Sequence, residues 1–142
     1  MNVFAFLIPK DNTHFLEDSN TIRQALEKFD YYRFTVVPVL DENGCYIGTV
    51  SEGDILRFIK NIAKFNIKLT EKFKIKDIEK YRQYKSLDVM CTEDDLLELS
   101  LEQNFIPLVD GRGVYIDIVK RGDVIKYLYE NRKIKNCWFI DL

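Results

Sequence analysis

VPVLDENGCYIGTVSEGDILRFIKN, residues 37–61, returns without a gap 69 positions later as IPLVDGRGVYIDIVKRGDVIKYLYE, residues 106–130. Identities fall at Pro38/Pro107, Asp41/Asp110, Gly44/Gly113, Tyr46/Tyr115, Ile47/Ile116, Val50/Val119, Gly53/Gly122 and Asp54/Asp123. Chance alignment of two amphipathic segments matches interchangeable aliphatics; it does not bring Pro, Gly and Asp into register. The chain is therefore read as two copies of one supersecondary unit.

Outward from this stretch the two copies keep one order of elements. In the first, residues 13–16 read as a short strand and 19–29 as a helix with Ile22, Ala25, Leu26 and Phe29 on one face. Residues 34–40 form a β-branched, aromatic strand, 41–44 a hairpin turn, 45–50 the return strand and 54–65 a second helix. The second copy repeats this over 86–90, 94–101, 105–109, 110–113, 114–119 and 123–132. The expected fold is α/β (α+β), two tandem β-α-β-β-α repeats. Residues 1–66 hold the first, 67–85 a linker and lead-in, 86–132 the second, and 133–142 an apolar C-terminal tail.

The 142 residues give each copy about seventy, marginal alone, so the two are expected to pair. A net charge of -2 gives no general pull toward nucleic acid. Residues 60–85 carry nine Lys or Arg against three acids, but with no aromatic and basic interleaving on a recognisable nucleic-acid fold they read as a solvated linker and helix. There is no run of eighteen apolar residues, and residues 1–8 lack a basic leader and cleavage site, so the expectation is a cytoplasmic protein with no membrane segment. Cys45, Cys91 and Cys137 are odd in number and far apart, which argues against disulfide and zinc frameworks. His14, the one histidine, reads as a strand-end residue, and no metal site is expected. With no Walker loop, dinucleotide fingerprint or nucleophile-and-base pair, the chain reads as a binding protein, not an enzyme.

The candidate chemistry lies at Gly48-Thr49-Val50-Ser51-Glu52-Gly53-Asp54, where a strand passes into a helix. Free backbone N–H groups and the positive end of the helix dipole suit an anion there. Gly48 lets a ligand approach the strand, the Ser51 hydroxyl can bond a phosphate oxygen, and Asp54 offers two acceptors for a ribose diol. Ser51-x-x-Asp54 equally fits a capping box that only starts the helix.

Paired units with a V/I-P-x-x-D turn, then G-x-x-S/T-x-x-D and an amphipathic helix, resemble a tandem pair of CBS domains, a Bateman module, as found in stand-alone bacterial CBS-domain proteins. The resemblance implies pseudo-twofold symmetry, two sheets face to face, adenosine-type ligands between them, disc-shaped homodimers and a regulatory role toward a protein partner. It implies that Asp54 holds the ribose and Ser51 a phosphate, that Gly48, Thr49 and Ala25 flank the adenine, and that Thr35 lies near the phosphate. AMP, ADP or ATP is the implied regulatory ligand, with cyclic di-AMP, S-adenosylmethionine or a ligand-free interaction module as alternatives. No cofactor is implied. In the second copy Asp117 replaces Gly48 and Lys120 replaces Ser51, while Asp123 remains beside Ile118. An added carboxylate should weaken anion binding, against which the Lys120 and Arg121 cations can compensate, and Ile118, Lys120 and Asp123 are expected to form a weaker second site. A dimer is expected to cover an exposed ridge that includes Phe58 and Tyr127.

Overall fold

The computed structural model describes residues 14–33, 35–62, 64, 66–78 and 84–135. The first copy runs β1 (Leu16–Glu17), α1 (Ile22–Tyr32), β2 (Val36–Leu40), β3 (Tyr46–Ser51) and α2 (Glu52–Asn61). The second runs β4 (Leu87–Asp88), α3 (Glu93–Ser100), β5 (Phe105–Val109), β6 (Tyr115–Lys120) and α4 (Arg121–Lys135). The expected β-α-β-β-α order is thus present twice. In each copy the first strand is parallel to the second and the second antiparallel to the third, giving two three-stranded sheets.

The repeat holds down to irregularities. Pro38 faces Thr49 and Pro107 faces Ile118, and the register shifts at Val39/Leu40 and again at Leu108/Val109. Both turns are closed by their aspartate. Asp41 accepts the N–H groups of Asn43 and Cys45, each at 2.9 Å, and Asp110 those of Arg112 at 2.8 Å and Val114 at 3.1 Å. Gly44 and Gly113 then take φ of 80° and 82°, a conformation that a Cβ disfavours. The two hairpin tips meet. Tyr46 N–H donates to Gly113 C=O at 3.2 Å, and Tyr115 N–H to Gly44 C=O at 2.9 Å. Because these are equivalent residues exchanging equivalent bonds, an approximate twofold axis passes between Cys45 and Val114.

Helices begin where side chains satisfy their free N–H groups. Thr21 with Gln24, Ser51 with Asp54 and Thr92 with Asp95 each form a reciprocal capping box. Helix α2 therefore starts at Glu52, ahead of the expected residue 54. Helix α4 runs to Lys135, past the expected boundary at 132, since the sequence there holds no glycine or proline stop. The rest of the apolar tail lies outside the described residues.

Each copy has its own core, built at matched positions: Val39, Val50 and Ile55 in the first, Leu108, Val119 and Val124 in the second. The reading of residues 60–85 as a solvated linker and helix does not hold for residues 66–78. Residues 66–78 strap the first core, with Ile22 N–H bonded to Phe73 C=O and Ile75 N–H to Asn20 C=O, each at 2.9 Å. Ile75 is 0% exposed, and Ile78 is buried in the same cluster. Alternating lysines masked these apolar anchors in a charge count. The expected ridge also needs correction: Phe58 is buried edge-on to Phe73, at 5.3 Å between centroids, and Tyr127 packs on the second core. Leu56 and its equivalent Ile125 are the exposed residues, at 60% and 58%. They flank their helix's buried face, whereas Phe58 follows Ile55 by three positions and shares its face.

Candidate functional site

The junctions β3 to α2 and β6 to α4 are equivalent in sequence and different in construction. At the first, Ser51 Oγ accepts the Asp54 N–H at 3.0 Å, and Asp54 Oδ2 accepts the Ser51 N–H at 2.9 Å. Arg57, three residues on, donates from Nη2 to Asp54 Oδ1 at 2.6 Å. The Asp54 side chain is only 4% exposed, and a buried carboxylate needs this compensation. Both of its oxygens are engaged. The other residues assigned to this site are also committed to the fold. Thr49 is fully buried with its hydroxyl 2.7 Å from that of Tyr46, Ala25 is fully buried in the first core, and Gly48 pairs with Val39 inside the sheet.

At the second junction Lys120 stands where Ser51 caps, and Asp123 makes no hydrogen bond or ion pair among the described residues. Arg121 ties the junction to the turn after α3, donating from Nε to Ser100 C=O at 2.7 Å and to Gln103 C=O at 3.0 Å. Beside it opens a cavity of about 390 Å³, on whose wall Asp123, Lys120 and Ile118 meet Asn104 and Phe105. The first copy closes the opposite side with His14, Thr35 and the β2 residues Val36, Val37 and Pro38. Thr35, assigned by resemblance to the first site, thus lies with the second set. Asp117 does not line this cavity. Successive strand residues face opposite ways, so Ile118 and Lys120 share the cleft face while Asp117 turns with Val119 into the interior. Its Oδ1 accepts the Ile118 N–H at 2.8 Å. The added carboxylate thus lies behind the cleft wall, not on it.

Burial, reinforced by Lys28 and by Lys120 from the other copy, pulls the His14 imidazole below its ordinary pKa. The ring stacks on Tyr32 with centroids 3.9 Å apart. Tyr115, the counterpart of Tyr46, is pushed above the ordinary phenol range by burial and by the nearby Asp117 and Tyr46. Its hydroxyl is buried without a hydrogen-bond partner among the described residues, because Ile118 replaces the Thr49 that serves Tyr46. Burial, then Asp95, raises the Cys91 thiol, which keeps it in the unreactive form. Sequence reasoning missed His14 and Asn104, which reach the cleft only through the tertiary fold. It also missed Arg57, whose i,i+3 spacing from Asp54 was a usable signal.

Residues 8–61 match the family model of the CBS domain. The chain is 25% identical over 146 residues to the chloroplastic CBS domain-containing protein CBSX2 of Arabidopsis thaliana, across 85% of this chain and 60% of that protein. It therefore spans 60% of the length of that curated relative. A crystal structure of CBSX2 in complex with AMP superposes with a TM-score of 0.71 at 27% identity, covering 92% of this chain and 98% of the other. CbpB of Listeria monocytogenes in complex with c-di-AMP gives a TM-score of 0.78 at 21% identity, covering 95% and 98%, a likeness of fold. The first repeat carries a CBS domain, and the whole described chain has the fold of a tandem CBS pair.

Proposed function

We propose that this chain is a non-catalytic regulatory module that binds one adenosine-containing ligand, of the AMP, ADP or ATP type, in the cleft between its repeats. The observation that carries the reading is the gathering in one cavity of a carboxylate, Asp123, without a partner among the described residues, a cation, Lys120, a hydroxyl, Thr35, and the apolar walls Val36, Pro38, Phe105 and Ile118. A ribose diol needs an acceptor, phosphate oxygens a cation and adenine an apolar slot. The cavity, about 390 Å³, falls at the lower end of the roughly 300–1,000 Å³ typical of small-molecule sites. The AMP complex of a 27% identical structure supports the ligand class.

On this reading the expected ranking of the sites is reversed, since Asp54 and Ser51 bond to one another while Asp123 has no partner among the described residues. The ligand state would reach a partner protein through a homodimer formed on the exposed grooves that flank Leu56 in one copy and Ile125 and Leu128 in the other. The second reading, a ligand-free interaction module, draws on the capping box at Ser51. Thermal melting with AMP, ATP, adenosine, S-adenosylmethionine and cyclic di-AMP separates them. Ligand at a hundred times its Kd adds about 2.7 kcal/mol of stability, and no shift with any compound leaves the interaction reading.

A further inference from the structure

We infer that Arg57 sets how many ligands this chain holds, by occupying the Asp54 carboxylate in place of a ribose and covering the first strand-to-helix junction. The inference rests on the adenosine-ligand reading of the inter-repeat cleft and concerns the other, equivalent junction.

The contrast between glycines at matched positions shows the cover directly. A Cβ placed on Gly53 would meet the Arg57 guanidinium at 3.4 Å and the Ser51 hydroxyl at 3.6 Å. At Gly122 it would meet nothing within 4 Å. The guanidinium therefore lies folded over the first turn of α2, where the corresponding turn of α4 is open to the cavity. A cation gains nothing from a helix N-terminus, whose partial charge is positive, so the bond to Asp54 is what holds Arg57 there. Lys126 occupies the position of Arg57 in the second copy and makes no ion pair with Asp123 among the described residues. An ammonium head is a single strongly hydrated point charge, whereas a planar guanidinium can bond a carboxylate while lying flat on the backbone.

The Arg57 side chain is itself 68% exposed, so one face of the pair is screened by water while the carboxylate beneath is 4% exposed. Removing the guanidinium leaves Asp54 Oδ1 as a buried acceptor without a donor. Two adjacent hydroxyls of a ribose supply what it lacks. Ser51 and Gly53 are already in place beside it, and Asp54 and Arg57 share the wall of a cavity of about 760 Å³ that Lys72, Phe73 and Asp77 close from the strap.

Calorimetric titration of the full chain with AMP tests this in the wild type, Arg57→Ala, Arg57→Gln and Arg57→Ala/Asp54→Asn. One AMP per wild-type chain, two in Arg57→Ala and one in the double variant are expected. Lys126→Arg in the otherwise native chain should weaken the existing site about tenfold, the reciprocal change. An unchanged stoichiometry of one in Arg57→Ala overturns the inference while leaving the cleft reading intact. No binding by wild type but one AMP in Arg57→Ala supports the inference and removes the cleft reading. No binding in either removes both. If Arg57→Ala does not fold, as judged by near-ultraviolet circular dichroism, Arg57→Gln carries the same stoichiometric expectation, and one site there overturns the inference.

Discussion

The two repeats share strand register, bulge and turn glycine position for position, and part company where strand turns into helix. In the first, Ser51, Asp54 and Arg57 bond to one another, and Thr49 serves Tyr46. In the second, Lys120, Ile118 and Asp123 take the positions of Ser51, Thr49 and Asp54 and line the cleft between the repeats, whereas Asp54 and Arg57 line a cavity of about 760 Å³ against the strap. One backbone can thus use the same site either for cohesion or for binding, and the choice rests on which polar groups find partners inside the chain. An internally satisfied carboxylate strengthens the fold, and an unsatisfied one is available to a ligand.

The comparison is sharpened first through the cores. Ile75→Ala removes a fully buried side chain from the strap over the first core and should cost about 2–5 kcal/mol in urea unfolding. A loss below about 1 kcal/mol would return residues 66–78 to the role of linker. Next come the paired aspartates. Asp123→Asn should lower AMP affinity about a hundredfold through loss of charge-assisted bonds, and Asp54→Asn should leave it within a few-fold while lowering stability by about 1–2 kcal/mol. Equal effects on AMP affinity in calorimetry would erase the distinction between the junctions.

The tyrosine pair gives a smaller, cleaner contrast. Tyr46→Phe strands the fully buried Thr49 hydroxyl and should cost about 1 kcal/mol, whereas Tyr115→Phe removes a hydroxyl that has no partner among the described residues and should be neutral or stabilising. Denaturant midpoints of the two variants check the sign. The smallest effect is the pH dependence of His14. Its folded pKa lies below the unfolded value, so the unfolded chain binds the proton first. The stability it contributes is complete above the unfolded pKa and is lost as pH falls through that value toward the folded one. His14→Gln should flatten the melting temperature across that window, and an unchanged slope would mean that other groups set it.

Much of the fold was legible because it is written locally. The turn aspartates, the turn glycines and the three capping boxes are made by residues no more than four apart, and the 69-residue repeat doubled each signal. The site was legible only in part. Ser51-x-x-Asp54 supported two readings from spacing, and the geometry of both oxygens showed the cap to be present. Asp117 read from sequence as a weakness of the second site, because strand alternation could not yet be tied to a cleft on one particular face.

The sequence by itself therefore determined the duplication, the order of elements, the turns and the candidate residues, since short-range sterics and hydrogen bonding act between neighbours in the chain. The tertiary structure alone decided that His14 and Thr35 meet Lys120 and Asp123, and that residues 66–78 close the first core. It also decided which of two equivalent aspartates has no partner among the described residues. Those outcomes depend on groups distant in sequence competing for the same buried space, and that competition is settled only when the two copies pack together.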